Sequence, residues 1–62
     1  MKYKKKLILK FLKENGRSST SRIASSISSD KWMAQKYLEE LKEEGKIIME
    51  KETRATYWRL AE

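Results

Sequence analysis

Apolar residues recur at helical spacing in three stretches of this chain and alternate in a fourth. Leu7, Ile8, Phe11 and Leu12 share one arc at about 100° per residue, with Leu9 at its rim. They predict a first helix over residues 4–15, with Asn15-Gly16 as its stop, because glycine takes the left-handed cap conformation without a steric penalty. Lys5, Lys6, Lys10 and Lys13 lie off the middle of that arc. Ile23, Ala24 and Ile27 predict a short second helix over residues 20–26, capped by the Ser19 hydroxyl. Its many serines give it little intrinsic propensity, so packing must hold it. Ser28-Ser29 reads as a tight turn, and Asp30 as the N-cap of a third helix over residues 31–44. Ala34, Tyr37, Leu38 and Leu41 form the inner stripe of that helix, and Gly45 closes it.

From Lys46 onward the period changes to two, and the expected element is a β-hairpin with strands over 46–51 and 56–60. Ile47, Met49, Trp58 and Leu60 would face the helices, leaving Ile48, Tyr57 and Arg59 outward. The tip, Glu52-Thr53-Arg54-Ala55, lacks the Gly or Asn of a two-residue primed turn. Arg17-Ser18-Ser19 between the first two helices is a connector with room for a strand of one or two residues. No internal repeat or long linker divides the chain, so residues 1–62 are expected to form a single α+β domain.

Charge adds a direction to this outline. The net charge is +6, but it is uneven. Residues 1–36 carry ten Lys/Arg against Glu14 and Asp30, a balance of +8, while residues 37–62 carry five against seven Glu, a balance of −2. A basic N-terminal half beside an acidic helix end suits one polyanion-facing side. A Lys/Glu-rich surface also serves solubility alone. The chain has no Cys and no His, which removes disulfides, thiolate metal sites, the usual general base and the commonest metal ligand. There is no Gly-rich phosphate loop or nucleophile elbow, so the expectation is a non-enzymatic protein without a cofactor or small-molecule substrate. No apolar run reaches the roughly 18–20 residues of a membrane span. Lys10 interrupts the apolar stretch that follows Lys4-Lys5-Lys6, and no signal-peptide cleavage site follows. The expected location is the cytoplasm, with the nucleoid.

The outer face of the third helix carries the sharpest candidates. Trp32 lies about opposite the inner stripe, and a large aromatic there calls for a contact, either with nucleic acid or with the hairpin or a second copy of the protein. Lys31, Gln35 and Lys36 share the outer half of the first two turns. Lysine can bond guanine or phosphate, and glutamine can pair with an adenine edge. Glu39, Glu40, Glu43 and Glu44 would be repelled by phosphate, which restricts any duplex contact to the N-terminal turns. Glu39 could accept from a cytosine amine or remain a solvated charge. Ser18, Ser19, Thr20, Ser21 and Arg22 surround the start of the second helix, where hydroxyls and amides suit phosphate contact and capping equally. Lys51, Thr53 and Arg54 place positive charge at the hairpin tip, diluted by Glu50 and Glu52. Ile48 and Tyr57 form a candidate outward apolar pair.

The order helix, short strand, helix, turn, helix, hairpin resembles winged helix-turn-helix domains, with the hairpin as a two-stranded wing. The resemblance rests on Ile8-Leu9, Leu12, Gly16, Ile23-Ala24, Ile27, Asp30, Ala34, Leu38, Leu41, Glu44-Gly45-Lys46-Ile47 and Tyr57-Trp58-Arg59-Leu60. It extends to the DNA-binding part of MarR-like and ArsR-like regulators. That implies a small transcriptional regulator on double-stranded DNA, with Lys31, Trp32, Met33, Gln35 and Lys36 at reading positions and Thr53 and Arg54 in the wing. Such regulators often act as dimers, so a homodimer through helix 1 or the wing stays open. Winged helices also serve as protein-interaction modules in larger assemblies, which is the rival reading. Z-form nucleic-acid-binding domains are similar in length and in the Trp-Arg-Leu ending. They use Asn and Tyr on helix 3 and prolines in the wing, where this chain has Gln35, Glu39 and no proline at all. Those departures argue against Z-form recognition and return Trp58 to the core.

Overall fold

A computed structural model describes residues 2–61. The element order is α1 (Lys2–Asn15), β1 (Ser18–Ser19), α2 (Thr20–Ser26), α3 (Lys31–Glu43), β2 (Ile47–Lys51) and β3 (Thr56–Leu60). The three helices pack on a small antiparallel sheet in the winged-helix arrangement. The sheet has three strands in the order β1-β3-β2, rather than being a hairpin alone. Ser18 pairs with Trp58 and Ser19 with Tyr57, so β3 is the central strand. Two serines carry no apolar alternation, and a two-residue strand is defined by its partner rather than by its own pattern.

Helix ends follow from local chemistry. Gly16 stands at φ +76°, and its N–H donates to Leu12 O at 2.7 Å. Ser19 Oγ accepts from the Arg22 amide at 3.3 Å, and Asp30 Oδ1 from the Met33 amide at 2.7 Å. Both residues are N-caps of the helices that follow them. Two helices end in the same paired-bond turn. At α3, Gly45 N–H reaches Lys42 O and Lys46 N–H reaches Leu41 O, both at 3.0 Å, with Gly45 at φ +79°. At α2, Ser28 N–H reaches Ser25 O at 3.2 Å and Ser29 N–H reaches Ala24 O at 3.0 Å. Here Ser28 occupies the left-handed position, at φ 54°.

The core is Ile8 and Leu12 of α1, Ile23, Ala24 and Ile27 around α2, Ala34, Leu38 and Leu41 of α3, Ile47 of β2 and Trp58 of β3. Leu7, Leu9, Phe11, Tyr37, Met49 and Leu60 pack around it. Ile47 faces Leu60 and Met49 faces Trp58 across the ladder, so the hairpin places these four on the helix side, as the alternation predicts. Trp58 has no exposed surface, and its indole N–H donates to Thr20 Oγ1 at 2.9 Å. That bond fastens the central strand to the start of α2. On the far side, Lys4 Nζ donates to the Ile27 carbonyl at the end of α2. Lys5 Nζ lies 2.9 Å from both Glu40 and Glu44, tying α1 to α3.

Candidate nucleic-acid interface

The outward side of α3 and the wing enclose a shallow groove of about 380 Å³. Ser19 and Thr20 form one wall, Lys31 and Gln35 the second, and Arg54 with Tyr57 the third. Residues far apart in sequence are brought together because β3 lies between β1 and β2, which sets the wing tip beside the N-terminal ends of both α2 and α3. Trp32, next to Lys31 on α3, is 75% exposed. Lys36 is exposed and Met33 half-buried on the same helix, while Lys51, Thr53 and Arg54 are exposed along the wing. Arg22 is exposed one turn into α2.

Four carboxylates near α3 and the wing, Glu40, Glu44, Glu50 and Glu52, are held by basic side chains, while Glu39 stays beside Gln35. Glu40 and Glu44 are held by Lys5, which keeps both carboxyls below the ordinary 4.5 and raises the Lys5 ammonium above its own usual value. On the wing, Arg17 Nε lies 2.7 Å from Glu50 Oε1, and its other end pairs with Glu52. Arg59 Nε is 2.7 Å from the second Glu50 oxygen. Its hydrogen bond is the main reason the Glu50 carboxyl is held low, with Arg17 adding to it. Lys31, Lys36, Lys51 and Arg54 make no ion pair with another described residue. The acidic dilution of the wing that the sequence suggests is therefore largely neutralised by Arg17 and Arg59, and the charge left free on the wing is that of Lys51 and Arg54.

Three expectations change. Thr20 is 5% exposed and its hydroxyl accepts the Trp58 indole proton, so its side chain is part of the packing rather than a free phosphate contact. Ser18 is likewise buried, its hydroxyl donating to the Gly16 carbonyl. The outward apolar pair shrinks to Ile48, at 37% exposure, because the Arg17 guanidinium covers the Tyr57 ring at 4.1 Å from its centroid. Arg17 and Tyr57 are the residues that sequence reasoning underweights. The only signal was the connector position of Arg17, and the contact depends on the β1–β3 pairing. Ser19 keeps its place at the groove but also serves as the α2 cap.

Gln35 lines the groove with its amide donating to Glu39 at 2.8 Å. Among the described residues, no group of three or more acidic side chains is placed to hold a metal ion, and no helix is long and apolar enough to cross a membrane. A basic groove with a protruding aromatic and a polar amide can make phosphate contacts and read a base edge.

Comparison with known proteins supports the same architecture. The chain is 27% identical to the Zalpha domain of PKZ from Carassius auratus, solved in complex with Z-DNA, at a TM-score of 0.90. That match covers 95% of this chain and 94% of the other. It is 25% identical to a homodimeric winged helix-turn-helix DNA-binding domain from Mycobacterium bovis, a possible ArsR-family transcriptional regulator, at a TM-score of 0.89. There 97% of this chain is covered and 55% of the other. The apo Zalpha domain of zebrafish PKZ has the same fold, with a TM-score of 0.90 at 21% identity, over 98% and 95% of the two chains. No curated protein sequence matches the chain. Residues 4–62 match the FaeA-like protein family, and the chain belongs to that family.

Proposed function

We propose that this protein binds double-stranded DNA as a small transcriptional regulator, working in the cytoplasm on the nucleoid. The N-terminal turns of α3 enter the major groove, and the wing tip touches the adjacent backbone. The observation that carries this reading is the groove where Lys31, Gln35 and Arg54 converge while Lys5, Arg17 and Arg59 occupy neighbouring carboxylates. Lys31, Lys36, Lys51 and Arg54 supply phosphate contacts, and Arg22 and the Ser19 hydroxyl extend them along α2. Trp32 packs on sugar or base at the groove edge, Met33 flanks it, and Thr53 supports the tip. The DNA-binding descriptions of the goldfish and mycobacterial domains support the choice of ligand.

The goldfish domain's complex with Z-DNA favours a second reading, recognition of left-handed duplex. Here Trp58 is fully buried, and Gln35 with Glu39 replaces the Asn and Tyr expected of such domains. The right-handed form is therefore the primary ligand.

Fluorescence anisotropy with a random-sequence B-form duplex, and with a brominated CG repeat held in the Z form, tests the proposal. Affinity for B-form duplex should fall steeply with salt, with a slope of about −0.9 per phosphate neutralised. Lys36→Ala and Arg54→Ala should each weaken binding and flatten that slope by about one. Tighter binding to the Z-form duplex would transfer the proposal to that ligand. Absence of binding to either, or loss of a protein partner on Trp32→Ala with DNA binding unchanged, would favour a protein-interaction role.

A further inference from the structure

Gln35 and Glu39 lie one turn apart on the exposed side of α3, near Trp32 and Lys36 on the helical wheel. Gln35 Nε2 is 2.8 Å from Glu39 Oε2. An ionised carboxylate only accepts, so the glutamine must present its NH2 to Glu39. The amide orientation is thus set by chemistry. It leaves Gln35 Oε1 and Glu39 Oε1 as acceptors with no hydrogen-bond donor among the described residues. A lone glutamine is ambivalent, able to donate and to accept. Bonded to Glu39, it has committed one N–H and sits beside a full negative charge.

From this geometry we propose that Gln35 and Glu39 act as one specificity-determining unit, selecting bases that present an exocyclic amine in the major groove. Adenine offers N6–H and cytosine N4–H to such acceptors. Guanine shows O6 and N7 and thymine shows O4, all acceptors, which face the carboxylate unfavourably. The negative charge also weakens attraction to phosphate, so the pair trades general affinity for discrimination. Specificity of this kind arises by penalising wrong bases as much as by rewarding right ones.

The inference rests on the proposed duplex binding through α3. Its test selects binding sites from a randomised duplex pool, for the unsubstituted protein and for Glu39→Gln, Glu39→Ala and Gln35→Ala. Anisotropy with single-base variants of the selected site then measures each preference. The unsubstituted protein should prefer adenine or cytosine at one or two adjacent positions, by roughly tenfold over guanine or thymine. Glu39→Gln should admit guanine or thymine there and bind random duplex more tightly. Gln35→Ala should lose the preference at one position. Glu39 is exposed and Gln35 half-buried, and thermal melts verify folding of all three variants. Duplex binding with no base preference, or a preference unchanged in Glu39→Gln, overturns the inference and leaves the duplex-binding proposal standing. Failure of the unsubstituted protein to bind any duplex overturns that proposal first and this inference with it.

Discussion

Replacing Thr20 by valine tests whether the buried bond between Thr20 and Trp58 holds the wing to the helices. Valine matches threonine in shape, so packing volume is kept while the hydroxyl is lost. The Trp58 indole N–H, with no exposed surface and one acceptor 2.9 Å away, would then be buried without a partner. Such an orphaned donor costs about 1–3 kcal/mol. A domain of this size has only about 3–9 kcal/mol of stability in total, at about 0.05–0.15 kcal/mol per residue. Tm should fall by roughly 5–20 °C, since each kcal/mol is worth about 4–8 °C at this length. Circular dichroism melts and urea titrations measure the loss. In a Trp32→Phe background, Trp58 is the only tryptophan and its fluorescence reports the same transition. Thr20→Ser keeps the hydroxyl and loses one methyl, so it should retain most of the stability. A Thr20→Val protein that melts with the unsubstituted one would refute the reasoning. Equal losses in Thr20→Ser and Thr20→Val would assign the effect to packing instead. Because β3 also carries Tyr57 into the groove, Thr20→Val should weaken DNA binding in proportion to its structural loosening.

Two further outcomes are expected. Ser28 holds the left-handed turn position at φ 54° with an exposed side chain, so Ser28→Gly should raise stability by up to about 1 kcal/mol in a urea titration, the relief of strain being partly offset by added unfolded-state entropy. Glu40, Glu44 and Glu50 have depressed carboxyl pKa values in the folded state, so their contribution is present above the ordinary 4.5 and is lost as pH falls through the folded values. Tm should therefore drop on acidification below about pH 5, and the drop should be smaller in Lys5→Met, where Glu40 and Glu44 lose the largest cause of their depression.

The helices were legible because their information is local. Apolar spacing marks their inner faces, and Ser19, Asp30, Gly16 and Gly45 satisfy or redirect backbone groups within a few residues. The hairpin was legible for the same reason, since Ile47, Met49, Trp58 and Leu60 alternate. The third strand was only half visible: Ser18 and Ser19 have no strand signature, and their pairing exists because Trp58 and Tyr57 lie alongside. Thr20 shows the same limit at the candidate site. A hydroxyl at a helix start looks alike in sequence whether it meets solvent or an indole N–H thirty-eight residues away.

By itself, then, the sequence determined the helix positions to within two residues at each end, the inward face of each element, the exposed Trp32 and the uneven charge. Each depends on spacing or composition within a short window. Tertiary structure alone decided which charges remain free. Lys5 reaches Glu40 and Glu44 from another helix, and Arg17 crosses to Tyr57, Glu50 and Glu52 from a connector. These contacts span long stretches of chain, and charge counting cannot anticipate them because an ion pair depends on distance in space. They turn a chain with an acidic C-terminal half into a domain whose groove is lined by Lys31 and Arg54, neither of which makes an ion pair with another described residue.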